Sequence, residues 1–197
     1  IYGPQVSVIK SDLEEYMGKP GDEKTGSGRN NRHVIIESPM TGTVIPLAKV
    51  PDEAFAGKMM GDGTAIIPEE GTVCAPADGT VTFVFPTKHA VGFRTDEGYE
   101  MLVHVGIDTV SLSGDGFESF VRDGDRVHAG DRLLNVELQK IKDRVPSLAS
   151  PVLFTDLPEN VELCILKQGR VRAGEPLMEL RIIDDEKPGT VCAGREP

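Results

Sequence analysis

Two segments of this chain each occur twice. SPMTGTV at residues 38–44 returns as APADGTV at 75–81, and RVHAGDRLLNV at 126–136 returns as RVRAGEPLMEL at 170–180. Paired duplications of this kind predict a sandwich or barrel assembled from two related halves. In each Gly-Thr-Val the glycine permits a turn that a residue with a Cβ would strain. From Val34 onward the runs VIIESPMTGTVIPL, GTVCAPADGTVTFVF, YEMLVHVG and VELCIL are short, rich in Val, Ile and Leu, and punctuated by Gly, Asp and Pro. That pattern predicts many short strands joined by tight turns. One segment, LQKIKDRV at 138–145, reads as a helix and is stopped by Pro146. The expected fold class is all-β: an antiparallel β-sandwich or barrel-like fold with internal duplication and few short helices.

The ends read differently. Residues 1–18 carry a strand-like VSVI followed by SDLE, where Ser11 can cap a short helix and Glu14 can bond back to it, before Gly18 and Pro20 stop it. Residues 19–33, KPGDEKTGSGRNNRH, offer no apolar anchor and predict a flexible linker. The β domain is expected over 34–183. Residues 184–197, DDEKPGTVCAGREP, are charged and rich in Gly and Pro, which predicts a disordered tail.

Thirty-two acidic against 21 basic residues give a formal net charge of -11. Such a field repels nucleic acid and anionic lipid and suits a basic protein partner. No apolar run approaches the roughly 18–20 residues that cross a bilayer, and IYGPQVSVIK lacks the regions of a signal peptide. A soluble chain making no direct membrane contact is expected. Cys74, Cys164 and Cys192 form no CxxC pair and are odd in number, so free thiols in a reducing compartment are expected.

Two of the four histidines fall in strand-like surroundings, His104 in MLVHVGID and His89 in TKHAVG. Strand alternation puts Leu102, His104 and Gly106 on one face and Val103 and Val105 on the other, so His104 points outward if the valines face the core. A lone histidine so placed is commonly structural. Its flanks add chemistry: the carbonyl of Gly106, two residues on, can hold the Nδ1 proton and leave Nε2 free as a nucleophile. His89, paired across the sheet, can donate to an anion formed on that nitrogen. Thr87 lies two residues before His89 on the same face of an extended chain and can fix its tautomer. Two histidines could instead hold a zinc ion, but no HExxH or HxH supplies a third ligand, and no GxSxG marks a serine nucleophile. His33 and His128 read as solvated surface residues, and no metal or other cofactor is called for.

Taken together, SPMTGTVIPL, KVPDEAFAGKMMGDG, APADGTVTFVFPTKHAVG, LVHVGIDTV and GDRVHAGDRL resemble the glucose-type enzyme IIA component of the bacterial sugar phosphotransferase system, over roughly three quarters of the chain. The resemblance implies an antiparallel β-sandwich of the duplicated hybrid motif type. It implies that His104 is the phosphorylated histidine, taking the group on Nε2 from the histidine phosphocarrier HPr and passing it to a cysteine of an enzyme IIB domain. His89 would support the phosphoryl group, with Thr87 as its hydroxyl partner. Asp52, Ala54, Phe55, Val91 and Asp108 fall at the family's partner-binding positions, an apolar patch ringed by acidic residues. Val91 and Leu102 stand where many relatives carry phenylalanine. Residues 1–18 resemble the C-terminal end of a IIB domain. That implies a IIB domain on the same polypeptide and makes this chain the cytoplasmic portion of a membrane permease. A regulatory binding module of the same family and a zinc peptidase on a similar duplicated fold are the competing readings.

Overall fold

The computed structural model of the protein describes residues 33–183. The expectations for residues 1–32 and 184–197 lie outside the described residues. The strands are β1 (His33–Glu37), β2 (Gly42–Pro46), β3 (Asp62–Pro68), β4 (Thr72–Cys74), β5 (Gly79–Val84), β6 (Ala90–Thr95), β7 (Glu100–His104), β8 (Phe117–Ser119), β9 (Arg126–Val127), β10 (Arg132–Val136), β11 (Ser150–Asp156), β12 (Val161–Ile165), β13 (Gly169–Val171) and β14 (Pro176–Ile182). One large sheet runs β13-β2-β3-β11-β7-β6-β5-β9, and two small sheets run β1-β14-β12 and β4-β10-β8. Every pairing between these strands is antiparallel.

The duplicated sequences occupy equivalent places. Gly42 and Thr43 pair with Val171 and Arg170, and Gly79 and Thr80 pair with Val127 and Arg126. The equivalence extends past the strands. The Ser38 and Gly174 amides donate to the Glu175 and Ser38 carbonyls, just as the Ala75 and Gly130 amides donate to the Asp131 and Ala75 carbonyls. At the junction each half donates to the other, Glu37 to the Pro76 carbonyl and Cys74 to the Pro39 carbonyl, both at 2.8 Å. Each half thus satisfies backbone groups that the other would leave bare. The outer pairing also brings His33 beside Arg181, on β1 and β14.

Both faces of the large sheet are covered. Val81, Val91, Phe93, Val103 and Val152 share the main core with Val34 and Ile36 of β1, Leu133 and Leu134 of β10 and Met178 and Leu180 of β14. On the opposite face Leu102 and Leu153 lie under Leu47, Val50, Ala54, Phe55 and Met60. That second layer is built by a 3-10 turn, Leu47–Lys49, and a four-residue α-helix, Glu53–Ala56. Val81 and Phe83, two positions apart on β5, face opposite layers because the register shifts between them. The Phe83 ring then lies across Gly92, where an added Cβ would sit 2.1 Å from its Cε1.

The sequence-predicted helix at 138–145 is an α-helix only over Leu138–Ile141, since past Lys142 the chain breaks into turns before Pro146. Cys74 is free, but Cys164 is buried and disulfide-bonded. This corrects the expectation of free thiols: an odd cysteine count leaves one thiol over without excluding one bridge.

Candidate active site

His104 ends β7 with its ring on the second apolar layer rather than in open solvent. Only 3% of it is exposed, because the segment carrying Phe55 folds over that face and brings its ring to 5.2 Å from the imidazole. The outward-pointing placement expected from alternation therefore needs correcting: the valines do face the main core, but the other face is covered too. The chain turns sharply after His104, with Gly106 at φ +68. That turn directs the Gly106 carbonyl back to His104 Nδ1, 2.9 Å away. A carbonyl only accepts, so Nδ1 carries the proton and Nε2 of the neutral ring carries the lone pair.

His89 closes the turn between β5 and β6. Its carbonyl accepts from the Val105 amide at 2.8 Å, and Ala90 is the register partner of His104. The two rings consequently meet edge to face, with centroids 4.8 Å apart and planes at 76°. Thr87 Oγ1 lies 2.5 Å from His89 Nδ1. The contact is the one expected, but its route is not an extended chain. Lys88 is left-handed, at φ 57, and its amide donates to the Phe85 carbonyl, so a tight turn presents both side chains. Phe85 flanks His89, with ring centroids 5.0 Å apart.

Burial is the main electrostatic fact. It pushes His89 down to about 2, with His104 as a secondary cause, and pushes His104 down to about 4 against the opposing pull of the Gly106 carbonyl and the Asp52 carboxylate. Both rings are neutral at neutral pH, one offering a free nitrogen and the other standing beside it. Such a pair can take an electrophilic group on His104 Nε2 and contact it from His89.

The five partner-binding candidates do not form one exposed patch. Asp52 and Asp108 are half-buried. The Asp52 carboxylate caps the helix Glu53–Ala56, accepting from the amides of Ala54 at 2.9 Å and Phe55 at 3.2 Å. Asp108 is left-handed, at φ 57, ahead of a 3-10 turn at Thr109–Leu112. Ala54 and Phe55 are 1% exposed and Val91 is fully buried. The physical reason is the two-sided burial of the sheet: Val91 faces the main core, and Ala54 and Phe55 face inward from the covering layer. Phe55 meets His104 from within, so the side chains of these three residues do not supply an apolar docking surface.

Of the bland histidines, His128 is exposed beside Asp78, and the exposed His33 ring bonds Glu179 at 3.0 Å. Sequence reasoning missed the hydroxyls around the Gly106 turn, Thr109 and Ser150, and the Ser147 carbonyl. Ser150 lies 44 positions away in the chain, so no local pattern points to it.

Residues 34–160 match the family described as the phosphoenolpyruvate-dependent sugar phosphotransferase system, EIIA 1. Over 198 aligned residues the chain is 42% identical to the glucose-specific EIICBA component of Staphylococcus saprophyticus subsp. saprophyticus, with 94% of this chain and 29% of that protein covered. The chain therefore spans less than a third of that relative. Among solved structures it is similar to the glucose permease IIA of Mycoplasma capricolum, with 43% identity and a TM-score of 0.72 across 77% of this chain and 98% of that one. The β-sandwich of that neighbour agrees with the antiparallel fold found here, and the match over 34–160 spans both histidines: the chain belongs to the EIIA 1 family of the phosphoenolpyruvate-dependent sugar phosphotransferase system, a family of phosphoryl carriers.

Proposed function

We propose that His104 is the phosphoryl-accepting residue and that its donor is the phosphohistidine of HPr. The observation that carries this reading is the 2.9 Å contact between Nδ1 and the Gly106 carbonyl, which leaves Nε2 of a neutral, buried imidazole as the nucleophile. The Nε2 lone pair forms the new bond to phosphorus as the donor's P–N bond breaks and its electron pair returns to the donor imidazole. The proton stays on Nδ1, and the formal positive charge of the product ring is offset by the phosphoryl oxygens. The hydroxyl of Thr87 donates to His89 Nδ1, so that His89 Nε2–H donates to those oxygens.

In the second step a cysteine thiolate of a IIB domain attacks phosphorus, and the P–N bond breaks back to His104. The fused EIICBA relative supports a IIB domain on the same polypeptide, where a linker would keep carrier and acceptor at high effective concentration. In that arrangement the domain works on the cytoplasmic side of a membrane permease, and among the described residues no helix is long and apolar enough to cross a membrane. The family match favours this carrier over the zinc-peptidase and purely regulatory readings. The test is incubation with enzyme I, HPr and labelled phosphoenolpyruvate. The chain should take up acid-labile label and His104→Gln should take up none, whereas acid-labile label persisting on His104→Gln would overturn the assignment.

A further inference from the structure

The two peptide units on either side of Gly106 have all four of their polar groups engaged. The Val105 carbonyl accepts from the Thr109 hydroxyl at 2.8 Å. The Gly106 amide donates to Ser150 Oγ at 3.1 Å, and that hydroxyl donates onward to the Leu148 carbonyl at 2.8 Å. The Gly106 carbonyl accepts from the His104 Nδ1–H at 2.9 Å. The Ile107 amide, on the same peptide unit as that carbonyl, donates to the Ser147 carbonyl at 2.9 Å. A single chain of bonds thus runs from the imidazole through one peptide unit to Ser147, each link polarising the next.

Besides the imidazole itself, two side chains hold these groups, and both are deeply buried: Thr109 and Ser150 show no exposed surface. A hydroxyl there is costly unless it is bonded. These two bond the peptide that fixes the left-handed turn at Gly106, where an added Cβ would sit 2.8 Å from Thr109 Cγ2.

We infer that Ser150 and Thr109 are positioning residues for phosphoryl transfer: by clamping the Val105–Gly106 peptide they hold the Gly106 carbonyl on His104 Nδ1 and keep Nε2 the unprotonated nitrogen. Neither touches the imidazole. Their effect reaches it only through the orientation of the turn. This inference rests on His104 being the acceptor, but its first readout does not.

Nitrogen-15 NMR of His104 in the full chain reports which ring nitrogen carries the proton, whether or not any phosphoryl group is transferred. In the parent chain one tautomer, protonated on Nδ1, is expected. Ser150→Ala should give a mixture of tautomers and slow phosphoryl acceptance from HPr by on the order of tenfold or more, as misaligned nucleophiles do. Ser150→Thr, which keeps the hydroxyl, should restore both. A folded Ser150→Ala chain with a single Nδ1–H tautomer and the parent rate would overturn the inference for Ser150. If Ser150→Ala does not fold, Thr109→Val removes the other hydroxyl at nearly constant shape and is read the same way, with an unchanged tautomer and rate overturning the inference. A parent chain that shows the Nδ1–H tautomer yet takes no label on His104 would sink the proposed function and with it the role in transfer, leaving only the hold of these hydroxyls on the tautomer.

Discussion

His89 and His104 sit edge to face with 4.8 Å between their centres, and the backbone bond from the Val105 amide to the His89 carbonyl fixes that distance. Each ring is tied at Nδ1 to a different partner, His104 to a carbonyl and His89 to a hydroxyl. The two imidazoles are therefore not interchangeable, and their substitutions should separate.

His89→Gln should still accept a phosphoryl group on His104, because the nucleophile and its Gly106 bond are untouched. Delivery to a IIB domain should slow by on the order of a hundredfold, since an amide bonds the phosphoryl oxygens without the imidazole's proton behaviour. Single-turnover chase of the labelled chain with IIB measures this, and an unchanged chase would remove His89 from the mechanism.

Acid should destabilise the fold through these rings. An unfolded histidine takes up a proton near pH 6.5, whereas the folded rings resist until about 4 for His104 and about 2 for His89. The unfolded state thus binds more protons below about pH 6.5, and stability declines as pH falls through that window. Urea unfolding at pH 7 and pH 5 should differ by roughly 1–2 kcal/mol per ring, and the difference should shrink in His104→Gln and His89→Gln. Equal pH dependence in all three chains would contradict the burial argument.

Phe55→Ala should behave as a core truncation with a local electrical effect. Loss of a buried phenylalanine side chain costs about 3–5 kcal/mol, and water entering beside His104 should move its pKa up from about 4 toward the ordinary histidine range. Denaturant titration and an NMR pH titration of His104 check the two parts. A normal midpoint with weakened HPr binding would instead restore Phe55 to the docking surface.

Asp52→Asn and Asp108→Asn test charge with little change of shape. Asparagine caps helices about as well as aspartate and tolerates the left-handed region, so both folds should persist. If these carboxylates form the rim met by a basic donor, transfer from HPr should slow several-fold at low salt and by less at high salt. Transfer rates measured across ionic strength decide this, and parallel salt dependences in parent and variants would place the donor elsewhere.

Legibility followed the sequence distance of each contact. The bond from His104 to Gly106 spans two residues, and the strand pattern with its trailing glycine was enough to expect it. Thr87 and His89 were expected to meet in an extended strand, yet they meet through a left-handed Lys88, which no propensity favours. The repeats announced the two related halves. What stayed hidden was the second apolar layer. A four-residue helix makes too little periodicity to notice, although Asp52 as its cap and Gly57 at its end were visible cues. The resemblance put Ala54, Phe55 and Val91 on the partner surface, whereas Ala54 and Phe55 belong to that layer and Val91 to the main core, and the bond from Gly106 to Ser150 joins segments that only the tertiary fold brings together.

The pairing of His33 with Arg181 means that the chain begins and finishes this domain at one spot, on a small sheet across the main core from the imidazole pair. A domain whose ends adjoin can be threaded into a longer polypeptide like a bead held by a single knot. Both His33 and Arg181 therefore lie on the side of the core away from the His104 ring. The ends could be joined to each other and the chain reopened at an exposed loop, giving a circular permutant of the same fold.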